Sequence, residues 1–143
     1  MDTAPYLDKL DEKKIEKLRD QDPEEYKRIQ NLQSNGFTFI TRVRFHGNEL
    51  LTSDHFHENF AKKLQFPKFY GGNMDAWIDV MDDMMTIQFP MAKCCVAGGE
   101  TLEIVITESK KFRESSMYRE LVDCVNFINE ERTRYEYLKL IFE

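Results

Sequence analysis

The chain has 143 residues, of which 41% are hydrophobic and 13% aromatic, enough apolar material for one folded domain with a buried core. Its 20 basic and 26 acidic residues give a formal net charge of -6, which argues against non-specific binding to nucleic acid or anionic lipid. If charge selects a partner, we expect that partner to be basic. No apolar run could span a bilayer, and the opening residues lack the pattern of a secretory signal, so we expect a cytoplasmic protein without a membrane partner.

Residues 1–36 are predicted to form an N-terminal helical extension. This stretch is dense in charge and thin in apolar residues, and it predicts two short helices, over 7–20 and 23–34. The Asp22–Pro23 pair marks the start of the second helix, because an aspartate N-cap followed by proline in the first turn is a common way to begin one.

Residues 37–143 are predicted to form a separate α/β domain. Patterns typical of strands occur at 37–45, 101–107 and 137–142. Two predicted helices separate the first strand from the second, and a long helix capped near Ser115 precedes the third, so the order is β-α-α-β-α-β. Because strands joined by helical crossovers pair most easily in parallel, we expect a three-stranded parallel sheet packed with helices.

The segment FPKFYGGNMDAWIDVMDDMM, residues 66–85, leads into a predicted helix over 73–85 that carries no lysine or arginine. At about 100° per residue, one side of this helix is acidic and the opposite half is apolar. The acidic stripe consists of Asp75, Asp79, Asp82 and Asp83, with Ile78 on its border. Like charges four residues apart repel each other, and a basic partner would relieve that repulsion. An ordinary solvated helix face, with aspartates favoured near the first turn by the helix dipole, is the alternative interpretation.

The loop before this helix combines aromatic residues with a tight turn. Phe69 and Tyr70 precede Gly71, Gly72 and Asn73, which suits a turn with a positive φ angle followed by an asparagine N-cap. Exposed aromatic rings beside an acidic stripe are typical of a protein-binding hot spot. Phosphate binding at the glycines is disfavoured, because the aspartates behind them would repel the anion and neither a GxGxxG nor a GKS/T motif is present.

The segment FPKFYGGNMDAWIDVM resembles the signature of the barstar family, intracellular inhibitors of barnase-type ribonucleases. In that family a Pro-x-aromatic-Tyr-Gly-x-Asn-hydrophobic-Asp-Ala segment leads into the inhibitory helix. The resemblance holds in outline over residues 37–143 and implies the family's fold, a three-stranded parallel sheet packed with helices. Residues 1–36 have no counterpart in it.

The resemblance also implies roles for individual residues. Asp79 would enter the nuclease active site in place of a substrate phosphate, and Asp75 would pair with a neighbouring arginine or lysine of the enzyme. Phe69 would pack on the enzyme, and the loop over 71–73 would touch it. Glu130 falls where the family has a further acidic contact, counted back from the last strand without a gap.

Departures from the family pattern bear on the identity of the target. Ile78 stands where the family often has tryptophan, Gly72 replaces a glutamate, and the segment 91–100 is longer than the usual connection. The first two changes remove specific contacts, so the target need not be barnase itself. The complete predicted partner-binding set is Phe69, Tyr70, Gly71, Gly72, Asn73, Asp75, Ile78, Asp79, Asp82, Asp83 and Glu130.

Catalytic and metal-binding patterns are weak in this sequence. His55 and His57 point about 160° apart on a helix, and all three histidines are expected at the surface. One helix face of aspartates cannot wrap Mg²⁺ or Ca²⁺, and the three cysteines include no CxxC pair. We therefore expect that the protein is not an enzyme and that it holds no cofactor and no metal. A metal-dependent enzyme that uses the aspartates is a third, weaker hypothesis.

The first functional hypothesis is a monomeric bacterial immunity protein, as in toxin–antitoxin pairs, that binds a nuclease and does not bind nucleic acid directly. It would block the basic active site of the nuclease, foremost a ribonuclease toxin, with the helix 73–85. The alternative is an acidic interaction or regulatory module that binds a basic partner other than a nuclease. Only the first hypothesis predicts loss of nuclease activity on binding.

Overall fold

The computed structural model describes residues 4–85 and 89–143. The helices are α1 (Glu12–Gln21), α2 (Pro23–Ser34), α3 (Ser53–Leu64), α4 (Met74–Asp83), α5 (Lys110–Arg113) and α6 (Ser116–Phe127). The strands are β1 (Leu7–Lys9), β2 (Thr38–His46), β3 (Cys94–Cys95), β4 (Leu102–Thr107) and β5 (Leu138–Phe142). A 3-10 turn over Gly47–Leu50 follows β2, and a π-helical turn over Ile128–Thr133 continues α6. No helix in the two described ranges is long and apolar enough to cross a membrane.

Three parallel strands form the main part of the sheet, in the order β2-β4-β5 with β5 at one edge, which confirms the predicted parallel arrangement. Val43 lies opposite Ile104, which in turn lies opposite Leu140. Two short strands extend this sheet, because β1 pairs antiparallel and β3 pairs parallel with β2. Within the described residues the sheet is therefore mixed and five-stranded, and the prediction of three strands was wrong in number.

The N-terminal segment departs from the helix predicted over 7–20. Leu7–Lys9 instead pair with β2, and the helix begins only at Glu12. Asp11 caps that helix, since its side chain accepts a hydrogen bond from the backbone N–H of Lys13 at 2.9 Å. Pairing with a strand far along the chain overrides the local helical pattern, and periodicity within a short window does not reveal such a partner.

The second helix of the extension begins as predicted. The side chain of Asp22 accepts a hydrogen bond from the backbone N–H of Glu25 at 3.2 Å, and Pro23 occupies the first turn. The two extension helices pack on the start of β2 and on β3 through a small apolar cluster, composed of Leu10, Ile15, Ile29, Leu32, Phe37, Phe39, Cys95 and Ala97.

The larger apolar core lies between the sheet and the helices α3, α4 and α6. Trp77, from α4, is fully buried there, with its ring centroid 5.5 Å from that of Phe60 and 6.1 Å from that of Phe56. This aromatic contact attaches α4 to α3 and leaves the opposite side of α4 facing solvent. The fold therefore presents the acidic helix at the surface.

Candidate functional site

The acidic helix α4 begins as the sequence predicts. The side-chain oxygen of Asn73 accepts a hydrogen bond from the backbone N–H of Ala76 at 2.8 Å, so Asn73 is the N-cap. Gly72, immediately before it, has a φ of 69°, a left-handed conformation that glycine adopts without steric cost. These two residues set the direction in which α4 leaves the loop.

The C-terminal end of α4 is held by groups from distant parts of the chain. The hydroxyl of Tyr137 donates to the carbonyl oxygen of Met81 at 2.6 Å. The carbonyl oxygen of Met84 accepts from the backbone N–H of Val96 at 3.0 Å and from the guanidinium of Arg28 at 3.4 Å. Since carbonyls at a helix end lack partners within the helix, these donors satisfy them and fix the position of α4.

The two faces of α4 divide as the helical wheel predicts. The apolar half is buried at Trp77, Val80, Met81 and Met84. On the other face Asp75 is exposed, the Asp79 side chain keeps 63% of its accessible surface, and the Asp82 side chain keeps 31%. A carboxylate surface therefore stands on a rigid apolar base.

Arg132, from the π-helical turn after α6, reaches this surface, a contact that was not predicted from the sequence. Its guanidinium lies 3.4 Å from a carboxylate oxygen of Asp79 and 3.1 Å from one of Asp82. The guanidinium carbon also lies 5.7 Å from the ring centroid of Phe127. The chain itself therefore supplies a cation that relieves part of the repulsion along the stripe.

Asp83 lines the same depression as Asp79 and Asp82, but it has a backbone partner of its own. It is half-buried, and its side chain accepts a hydrogen bond from the backbone N–H of Met91 at 2.6 Å. Burial raises the pKa of Asp83, since removal from water disfavours the charged carboxylate. Within this chain Asp83 therefore anchors the segment that follows the residues 86–88.

The loop before α4 presents one aromatic ring and holds another. Phe69 is 76% exposed, as predicted for a contact residue. The hydroxyl of Tyr70 instead hydrogen-bonds the Nδ1 atom of His57 on α3, and its ring packs edge-on against Phe66. His57 is buried, so its predicted surface position was wrong; burial lowers the pKa of His57 and raises that of Tyr70.

A shallow depression of about 340 Å³ lies beside the stripe, lined by Asp75, Ile78, Asp79, Phe127 and Arg132. Phe127 was not predicted from the sequence either, although the sequence carries a signal for it. Met117, Leu121 and Val125 mark the inward stripe of α6, and Phe127 is a 43% exposed apolar residue outside it. Glu130 is exposed on the π-helical turn that follows.

The properties of the three cysteines indicate structural roles. Burial raises the pKa of Cys94 and of Cys95 to about 12, and that of Cys124 to about 11, so these thiols stay protonated at neutral pH. Among the residues that the structure describes, no group of three or more histidine, cysteine or acidic side chains is arranged to hold a metal ion.

Comparison with known proteins connects this geometry to a family. A family model described as Barstar (barnase inhibitor) matches residues 40–141. The chain belongs to this family. The match runs from within β2 almost to the end of β5, so it includes α4, its loop and Arg132 and confirms the resemblance noted in the sequence. A comparison with curated proteins finds no match.

The α1–α2 helical extension precedes the matched region of this Barstar-family chain, as the sequence analysis predicted. The structure nevertheless connects the extension to the matched region, because β1 pairs with β2 and Arg28 bonds the end of α4. The division of the chain at residues 36 and 37 stays a prediction.

Proposed function

We propose that this Barstar-family chain is an intracellular immunity protein that inhibits a nuclease, foremost a ribonuclease, by placing α4 in its basic active site. The observation that carries the proposal is the presentation of two exposed carboxylates, Asp75 and Asp79, one helical turn apart on a rigid helix. The exposed ring of Phe69 lies in the loop that leads into the same helix. The family description, barnase inhibitor, is in accord with that arrangement.

The mechanism we propose is competition by charge. A nuclease places cations in its cleft to bind phosphate and to stabilise the charge that develops during cleavage. A carboxylate held at that position competes with the phosphate and excludes the substrate, so the chain itself performs no reaction. Its net charge of -6 would also attract a cationic cleft over a distance and speed encounter, a rule for which the barnase–barstar pair is the standard example.

The candidate residues differ in how free they are to meet a partner. We propose Asp75 and Asp79 as the principal charged contacts and Phe69 as the apolar contact, because all three are exposed. Asp82 and Asp83 are half-buried as well as paired within the chain, whereas Asp79 keeps 63% of its side-chain surface beside its contact with Arg132, so we expect a smaller contribution from Asp82 and Asp83. The other contacts we propose are Tyr70, Gly71, Gly72, Asn73, Ile78 and Glu130.

The experiment that tests the proposal measures both binding and nuclease activity. Immobilised wild-type protein and the Asp79→Ala variant would be compared for capture of nucleases from source cells and for binding of a purified barnase-type ribonuclease. We expect the substitution to cost about 2–5 kcal/mol of binding free energy, because it leaves a cationic pocket unpaired; this range is drawn partly from barnase–barstar complexes themselves. Activity on RNA and on DNA substrates would be measured for each captured nuclease with and without the chain.

Asp123→Ala is the matched control, since Asp123 is an exposed aspartate on α6 and its loss changes the net charge equally. Equal losses of binding in both variants would contradict the proposed site. A basic partner that binds through Asp79 but has no nuclease activity would contradict inhibition and support the alternative, an acidic adaptor.

A further inference from the structure

In the free chain, the guanidinium of Arg132 contacts the acidic stripe from one side. It bridges Asp79 and Asp82 at 3.4 and 3.1 Å, while the Asp79 side chain keeps 63% of its accessible surface. One guanidinium therefore contacts carboxylate oxygens that the proposed function assigns to a partner, and it leaves most of the Asp79 carboxylate open to approach.

Two depressions meet at this ion pair. The first, of about 340 Å³, reaches Asp75 and Phe127; the second, of about 670 Å³, reaches Asp82 and Tyr135. Asp79 and Arg132 line both. A cation that approaches Asp79 from either depression therefore meets Arg132 as well, and the two positive charges repel each other.

The surroundings of Arg132 allow its guanidinium to release one carboxylate without leaving the surface. The Arg132 side chain is 35% exposed, the nearby ring of Phe127 offers a cation–π contact, and Asp82 is the closer of the two carboxylates. Asp79 can therefore be taken by an incoming cation while Arg132 keeps its other two contacts.

We propose that Arg132 is a specificity-determining residue that competes with the partner's cations for Asp79, an inference that rests on the proposed function. A partner with a single surface cation gains little, because it only replaces one guanidinium by another at the same carboxylate. A partner with two or more clustered cations can bind Asp75 and Asp79 together and so displace Arg132 from Asp79, while Arg132 keeps Asp82. The site thereby favours a phosphate-binding cleft over an ordinary basic surface.

The test uses the full-length chain and a defined cationic probe, a capped tetra-arginine peptide at low ionic strength. Peptide binding would be followed by NMR through the backbone amides of α4, so that binding elsewhere on the acidic chain does not enter the dissociation constant. Replacing Arg132 by glutamine should lower that constant about three- to tenfold, the range expected for loss of a competing exposed ion pair with two carboxylates.

Matched variants distinguish competition for Asp79 from a general change in the net charge of the chain. Arg134→Gln removes the same charge from an exposed residue two positions away and should lower the constant less than twofold. Arg132→Lys keeps the charge without the guanidinium fork and should fall between wild type and Arg132→Gln. Adding Asp79→Asn to Arg132→Gln should reverse the gain.

Equal dissociation constants for wild type and Arg132→Gln, or equal gains from Arg132→Gln and Arg134→Gln, would overturn the proposal. Its failure can be told apart from failure of the proposed function. A chain that inhibits no nuclease but binds the peptide more tightly without Arg132 refutes the inhibitor and supports the competition. A chain that inhibits a nuclease, while wild type and Arg132→Gln bind the peptide equally, supports the inhibitor and refutes the competition.

Discussion

Replacing Arg28 by methionine should destabilise the whole fold, because this residue of the N-terminal extension is the buried link to the site helix. The Arg28 side chain is 6% exposed and lies 2.8 Å from Glu25, whose side chain is 12% exposed. Its guanidinium also donates to the carbonyl of Met84 and lies 5.3 Å from the ring centroid of Phe39. The substitution would remove these interactions together.

The expected loss of unfolding free energy follows from the charge of Glu25, which stays buried after the substitution. Removing one partner of a buried ion pair costs about 3–5 kcal/mol, chiefly because the remaining charge has lost its partner. Glu25 keeps a hydrogen bond from the backbone N–H of Gly98 at 2.6 Å, so we expect the lower end, about 3 kcal/mol. In a chain of this size that loss corresponds to a fall in Tm of about 10 °C.

The assay is urea denaturation followed through the fluorescence of Trp77, which is the single tryptophan and is fully buried. Arg19→Met is the control, since Arg19 pairs with Glu16 while both side chains are more than half exposed, and it should cost less than about 1 kcal/mol. Adding Glu25→Gln to Arg28→Met should recover part of the loss. A cost for Arg28→Met no larger than the control would refute the reasoning.

Two further predictions concern the helix end and the loop. Tyr137→Phe should lower the free energy of unfolding by about 1–3 kcal/mol in the same denaturation assay, because the buried carbonyl of Met81 loses its donor. Burial holds the pKa of His57 below 6.5, so the unfolded chain binds more protons between that lowered pKa and 6.5, and stability falls as pH falls. His57→Gln should flatten this dependence in denaturation series between pH 5 and 8, with the same change at exposed His55 as the matched control.

Local patterns in the sequence were sufficient for the site helix. The cap at Asn73 and the glycine turn at Gly72 act on neighbours within three residues, so their effects can be read without knowing the fold. The same holds for the buried and exposed faces of α4, because helical spacing alone assigns Trp77 and Asp79 to opposite sides.

Contacts between residues far apart in the sequence were revealed only by the tertiary structure. Local periodicity assigned Leu7 to a helix, but pairing with Val43 made it a strand. The contact of Arg132 with Asp79 and that of Arg28 with Met84 join helices that are far apart in sequence. Caps and helix faces depend on spacings of two to four residues, so the sequence determines them by itself. Long-range ion pairs and strand partners depend on which distant segments the fold places side by side, and the packing of the core decides that.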